Sequence, residues 1–344
     1  MKQATTSVSL ASLCPYQHPP ALYLPQSDGS RLAYVHDKGS PDSPGVFFCC
    51  GFQSNMRGRK IEAIQHWCQT VAGCEFTTLD YFGHGESLYA PSKPQDTVVP
   101  EAASAELLES VMIETGDPHK MDSILNHNNI SKNNKNLHAA AKQCTVGRWL
   151  QDILNVLDTV TSPQSKLILV GSSMGTWLAL LVAKVRPQRI AGIVGIASAP
   201  DAFPFLHQSI ILPSPCLSQS MNTLGYCDIP SIYSPWGYYR IHKELIQESY
   251  THLILDSTQN FDILSSTTTT TTIHMSIPVR LIHGKLDSDV PWQRSQLLFE
   301  ALSARDKQIV YIDDGDHRLS RDSDLMIIIQ QLEQVYLHVH KQKR

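Results

Sequence analysis

Lys166-Leu-Ile-Leu-Val-Gly171-Ser-Ser-Met-Gly175-Thr-Trp-Leu-Ala-Leu-Leu-Val-Ala183 passes from an apolar run of β character, through a short glycine-bounded turn, into an apolar run of helical character. A strand, a sharp turn and a helix with Gly-x-Ser-x-Gly at the turn is the layout of a nucleophile elbow. The spacing has a mechanical cause. A residue forced into so tight a turn projects its side chain out of the sheet, and the flanking backbone then runs too close to its neighbours for any residue but glycine. Gly171 and Gly175 stand two before and two after Ser173, which makes Ser173 the candidate nucleophile and Ser172 its inward-turned neighbour. The helix begins at Met174, so the Met174 N–H and the positive helix end face the place where an oxyanion would form. The stretch points to a serine hydrolase, against the alternative of a structural turn in a nucleotide-binding α/β protein.

The rest of the composition is compatible with that expectation. A chain of 344 residues with 42% hydrophobic content can bury one large core. A formal charge of −4 leaves no basic footprint for nucleic acid. No apolar stretch approaches the ~18 uninterrupted residues that a membrane span requires, so a soluble protein is expected. The eight cysteines show no C-x-x-C spacing, and Cys49-Cys50 falls in an apolar run where thiols act as small hydrophobes. This pattern suits a reducing, intracellular setting. Residues 1–20 form a tail that makes a poor secretory signal and only a faint organellar transit segment.

Outward from the elbow the chain alternates strands and helices, which predicts a mostly parallel sheet covered on both faces over residues 21–340. Leu22-Tyr-Leu and Leu32-Ala-Tyr-Val flank Asp28-Gly29 as an opening hairpin. Val46 to Cys50 reads as a strand buried on both faces. Ile61, Ile64, Trp67, Cys68 and Val71 predict one helix face ending at Gly73, and Val146, Leu150, Ile153, Leu157 and Val160 another. Residues 91–143 break the rhythm with asparagine-rich polar sequence, which reads as a mobile insertion. Residues 198–276, rich in proline and aromatics and closed by the threonine run 267–272, fall where a small, mostly helical cap would cover the site.

In an α/β-hydrolase the chain order is Ser, then Asp or Glu, then His, each at the carboxyl end of a strand. Asp287 follows the strand ending at His283 and His317 follows the strand ending at Ile312, so both fall where that order requires. A serine hydroxyl is a weak nucleophile and needs a positioned base. His317 is the candidate base and Asp287 the acid that orients it, with Asp289 as the second candidate acid. The Phe52 N–H, in the loop after the third strand, is the expected partner of Met174 N–H in the oxyanion hole. His84, in Asp80-Tyr-Phe-Gly83-His84-Gly85-Glu86-Ser87, is read as structural, and the histidines of residues 91–143 lack companions at metal-ligand spacing. Neither a metal nor another cofactor is expected.

Gly51-Phe52, Asp80-Tyr-Phe-Gly, Thr145-Val-Gly-Arg-Trp149, Gly171-Ser-Ser-Met-Gly175, Leu281-Ile-His-Gly284 with Asp287 and Val290-Pro-Trp292, and Gly315-Asp-His-Arg318 together resemble one branch of the α/β-hydrolases over about Leu32 to Tyr336. It is the acyl-protein thioesterase branch, that of the mitochondrial palmitoyl-protein thioesterase and mycophenolic acid acyl-glucuronide esterase. Carried over by position, the resemblance implies Ser173, Asp287 and His317 as the triad, S-acylated proteins among the substrates, and a mitochondrial location. The chain departs from the branch in having Thr176 where glycine is usual and Cys50 where proline is usual. Trp236, Tyr238 and Tyr239 are candidates for an apolar acyl pocket favouring longer chains. Arg318 is a candidate contact for an acidic leaving group, or else a surface partner of Asp316 or Asp322. A carboxylesterase for small or xenobiotic esters and a non-catalytic hydrolase-fold binding protein stand as alternatives.

Overall fold

A computed structural model describes residues 19–87, 142–234, 236–255 and 272–342. Residues 1–18, nearly all of the expected insertion and all but the last residue of the threonine run lie outside the described residues.

Eight strands form one sheet, β1 (Leu22–Pro25), β2 (Arg31–Asp37), β3 (Gly45–Cys49), β4 (Phe76–Leu79), β5 (Leu167–Ser172), β6 (Ile190–Ile196), β10 (Val279–Gly284) and β12 (Lys307–Ile312), in the order β1-β2-β4-β3-β5-β6-β10-β12. The first two pair as the expected hairpin, and β2 runs antiparallel to β4. From β4 onward every neighbouring pair is parallel. Parallel strands need crossovers, which put helices on both faces and bury the strands twice over. The sequence of β3 and β5 meets that demand, since every residue in each is buried.

The helices supply the matching faces. α1 (Arg59–Trp67) buries Ile61, Ile64 and Trp67. It then widens into a π-helical turn over Cys68–Ala72 before Gly73 stops it in the left-handed region, φ 59°. That turn breaks the 3.6-residue period, so Val71, expected on the buried face, is 48% exposed. α2 (Val146–Val160) starts under a Thr145 cap, whose hydroxyl accepts the Arg148 N–H. It buries Val146, Trp149, Ile153 and Leu157. α3 (Met174–Val185) is apolar nearly all round and lies deep in the core. α7 (Gln293–Ala301) precedes β12, and α8 (Asp322–Gln342) closes the chain with Leu325, Ile328, Leu332 and Val335 buried.

Between β6 and β10 the described chain forms α4 (Ala202–Leu206), α5 (Pro215–Leu224), a separate hairpin of β7 (Tyr226–Pro230) with β8 (Tyr238–His242), α6 (Lys243–Ser249), and β9 (Ile273–Met275), which pairs in parallel with the short β11 (Leu302–Ala304). Two carboxylates tie this segment down. Glu248 in α6 accepts the N–H groups of Val146 and Gly147 at the start of α2, at 3.0 and 2.9 Å, a favourable place for negative charge. Asp201 accepts the Ile254 and Leu255 N–H groups, each at 2.8 Å.

Candidate active site

The elbow is where the sheet geometry meets the chemistry. Ser173 has φ 55° and ψ −122°, a strained backbone for a residue with a side chain. The flanking glycines are required by space. A Cβ on Gly171 would lie 2.5 Å from the Gly175 carbonyl oxygen, and one on Gly175 would lie 2.0 Å from that of Cys49. The strain is held in place by three backbone bonds. Ser173 N–H donates to Ile196 O at 2.8 Å, and Ser173 O accepts from Thr176 and Ala199 N–H at 3.0 and 3.2 Å. Thr176 sits fully buried beneath the turn, with its hydroxyl donating to Gly171 O at 2.9 Å. Its extra bulk is therefore spent under the elbow and not in the cavities beside Ser173.

Asp287 and His317 meet from the ends of β10 and β12. His317 Nδ1 lies 2.7 Å from Asp287 Oδ2, and the carboxylate side chain is fully buried. Its other oxygen accepts the N–H groups of Asp289 and Val290 at 2.9 and 2.8 Å. His283, which the sequence presented only as a strand end, adds a fourth bond, Nε2 to Oδ2 at 3.0 Å, while its Nδ1 meets Ser295 Oγ at 2.6 Å. Burial alone would push the Asp287 carboxyl up. The hydrogen bonds from His283 and His317 outweigh it and hold the group well below the usual carboxylate range. Asp289 does not reach the histidine and has Ser231 Oγ at 3.4 Å instead.

Ser173 and His317 share two cavities, and each has its own chemistry. One, of about 210 Å³, is walled by Phe52, Met174, Phe203, Phe205, Leu206, Ile210, Ile229 and Ile241. The other, of about 420 Å³, is rimmed by Gln53, Arg57, Arg59, Lys60, Tyr233 and Arg318. Phe52 borders both. Its loop lies against Ser173 because Gly51 has no side chain, since a Cβ there would come within 3.3 Å of the Ser173 Cβ. The Phe52 ring packs edge-on against Phe203 and Tyr239, with centroids 5.2 and 5.6 Å away. His84 lies behind it, 5.2 Å from the Trp149 ring centroid, and burial lowers its pKa to about 4. It borders neither cavity.

The aromatic cap residues separate in space. Tyr239 borders both cavities. Trp236 borders neither and is 42% exposed, and Tyr238, also outside both, carries the Arg240 guanidinium 5.8 Å above its ring. The hairpin explains this, because alternate residues of a strand face opposite sides. Tyr233, absent from the sequence-based set, packs on His317 with centroids 5.8 Å apart. Arg318 lies over the same Tyr233 ring at 4.9 Å and donates to Tyr233 O at 3.3 Å. The surface pairing considered for it does not form. Asp322 takes Arg59 at 2.6 Å, and Asp316 accepts the Leu319 N–H at 2.9 Å. Lys60 donates to the Arg318 carbonyl from the same rim, and burial lowers its pKa to about 8.

A parallel sheet with helices on both faces, a strained serine at a strand-to-helix turn, and an acid and a histidine at later strand ends define an α/β hydrolase. The profile of the alpha/beta hydrolase family matches residues 63–326, and the chain belongs to that family. It is similar to the mitochondrial palmitoyl-protein thioesterase ABHD10 of Mus musculus, with 29% identity over 308 residues, 89% of this chain and 79% of that protein. To the Homo sapiens counterpart the identity is 26% over the same length, covering 77% of that protein. Among solved structures, the mouse alpha/beta hydrolase domain-containing protein 10 superposes with a TM-score of 0.64 at 28% identity, covering 92% of this chain and 98% of that one. Est1E of Butyrivibrio proteoclasticus, solved with ferulic acid bound, shares the fold at a TM-score of 0.55 and 17% identity, over 92% of this chain and 98% of that one. No helix among the described residues is long and apolar enough to cross a membrane.

Proposed function

We propose that this chain is a serine hydrolase that cleaves acyl thioesters and esters through an acyl-enzyme, with Ser173 as nucleophile, His317 as base and Asp287 as the acid that orients it. The observation that carries the reading is the 2.7 Å contact between His317 Nδ1 and a buried, ionised Asp287. With Nδ1–H donated to the carboxylate, Nε2 is left as the acceptor in the cavities that His317 shares with Ser173. In the first half-reaction Nε2 takes the Ser173 proton as Oγ attacks the acyl carbon. The Phe52 and Met174 N–H groups are suited to receive the oxyanion, since neither donates to another group among the described residues. The imidazolium then returns the proton to the departing thiol or alcohol. Water, activated by the same nitrogen, releases the acid in the second half.

The apolar cavity suits the acyl group and the cation-rimmed cavity suits the leaving group. S-acylated proteins are the proposed substrates because the relatives above bear the name palmitoyl-protein thioesterase. A mitochondrial location rests on the same names. Arg318, with no carboxylate partner among the described residues, suits an acidic leaving group such as a glucuronide.

A fluorophosphonate probe tests the mechanism directly. Wild-type protein should be labelled and should hydrolyse butyryl and hexanoyl thioesters, while Ser173→Ala should do neither. Labelling that persists in Ser173→Ala would refute the assignment. An unlabelled, inactive wild type would leave a binding protein on a hydrolase fold.

A further inference from the structure

The apolar cavity beside Ser173 carries one group that a purely hydrocarbon ligand does not explain. Arg294, in the first turn of α7, is only 4% exposed, yet it borders this cavity together with Ser173, Met174 and His317. A guanidinium has five N–H donors in a fixed fork. Arg294 spends one on Pro200 O, at 2.5 Å from Nη2, and lies over the Phe205 ring at 4.7 Å from the centroid. The nearby carboxylates are otherwise engaged. Asp201 uses both oxygens on the Ile254 and Leu255 N–H groups, and Asp289, on the same cavity wall, has Ser231 Oγ. Neither forms an ion pair with Arg294. Burial lowers its pKa to about 10, so it is still a cation at neutral pH. Asp201 is a nearby counter-charge but gives Arg294 no hydrogen bond, so the fork keeps donors that a carboxylate from a ligand would pair in two-pronged fashion.

We propose that this cavity takes acyl groups that bear a second carboxylate at their far end, the half-thioesters and half-esters of short dicarboxylic acids, with Arg294 as the partner of that carboxylate. The proposal rests on the acyl-enzyme reading above and adds the substrate class. At about 210 Å³ this cavity is half the size of the cation-rimmed one at about 420 Å³, which suits a short chain. In the reaction the acyl carbon exchanges its bond to sulfur for one to Ser173 Oγ, and then for one to water. The distal carboxylate makes and breaks no bond, so its part is to fix the chain. If Arg294 served only to tie α7 to the Pro200 loop, it would leave substrate preference untouched.

The full-length protein is assayed with adipoyl, monomethyl-adipoyl and hexanoyl thioesters of one thiol, N-acetylcysteamine. The methyl ester keeps the length and oxygen atoms of the adipoyl group but removes the charge. Wild type should show a kcat/KM for adipoyl about tenfold above that for monomethyl-adipoyl, the scale of one charge-assisted pair. Arg294→Met should abolish the ratio. A wild-type ratio below about threefold overturns the proposal, as does a larger ratio that Arg294→Met leaves unchanged. Should Arg294→Met not fold, protection of Ser173 decides, because free adipate should slow fluorophosphonate labelling of wild type about tenfold more effectively than hexanoate, and equal protection overturns the proposal. If hexanoyl thioester is cleaved without any preference for adipoyl, this inference alone fails. If no thioester is cleaved and no probe is taken up, the hydrolase reading fails with it.

Discussion

Two cavities meet at Ser173, and almost every property that matters for a ligand differs between them. The smaller is walled by side chains of the β6–β10 segment, Phe203, Leu206, Ile210, Ile229 and Ile241 among them. The larger is built from the loop after β3, the start of α1 and the loop after β12, and it is rimmed by Arg57, Arg59, Lys60 and Arg318. Two of these four cations are already neutralised. Arg57 binds Glu86 at 2.8 Å and Arg59 binds Asp322 at 2.6 Å, which leaves Arg318 as the guanidinium poised for an incoming anion. An ester has an acyl half and a leaving half, so a hydrolase needs two unlike subsites around one nucleophile. The contrast teaches that this enzyme separates them by source. The β6–β10 segment supplies most of the apolar wall of the smaller cavity, while the loops at the sheet's carboxyl edge, with Tyr233 and Tyr239, supply the larger.

The largest expected effect removes what the two cavities have in common. Ser173→Ala and His317→Ala should each lower kcat by about a millionfold, and the double variant should be little worse, because the triad acts as a unit. Ser172→Ala should keep measurable turnover in the same assay. A double variant much worse than either single would mean that the two residues work independently.

Next comes the acid that both cavities depend on. Asp287→Asn should cost about ten-thousandfold in kcat by stabilising the wrong histidine tautomer. It also carries a pH signature. The folded carboxyl is held well below its unfolded value of about 3.9, so its contribution to stability is complete above the unfolded pKa and is lost as pH falls toward the folded one. The stability gap between wild type and Asp287→Asn in urea should therefore be flat above about pH 5 and shrink below about pH 4. A gap that closes between pH 8 and 6 would contradict a depressed carboxyl.

Smaller effects should divide along the cavities. Arg318→Ala should reduce kcat/KM about threefold to thirtyfold on esters with an anionic leaving group, and much less on their neutral analogues, the range for one partly exposed charge contact. Equal losses on both would assign Arg318 to packing on Tyr233. Ile210→Ala, at a wall position 40% exposed, should lower kcat/KM for hexanoyl thioester by a few-fold, at ~0.8 kcal/mol per methylene lost from contact. It should leave leaving-group preference unchanged. A shift in leaving-group preference instead would mean that the cavities are assigned the wrong way round.

Much of this site could be read from the chain because its chemistry is tied to strand ends. Gly171, Ser173 and Gly175 are constrained by contacts within the elbow and with the adjoining strand, so their spacing carries the geometry. Asp287 and His317 each stand a few residues after a recognisable apolar strand, and topology brings those strand ends together. His283 was harder. It reads as the end of β10, and only the folded loop turns its ring between Asp287 and Ser295. The cap aromatics divide in space for a related reason. Trp236, Tyr238 and Tyr239 look alike in composition, but the β7–β8 hairpin faces them differently and takes only Tyr239 to the cavities.

Legible in the chain alone are the local and the periodic: the elbow, the buried strands, the helix faces and the order of the candidate triad. These follow from steric limits on a few neighbouring residues and from burial repeating every two or three to four positions. The tertiary structure alone decided the two cavities, the stacking of Tyr233 on His317, and the placing of Arg294 in an apolar wall beside Ser173. Those depend on residues far apart in the chain meeting in space. No spacing rule in the sequence encodes such a meeting, because it is set by how the whole core packs.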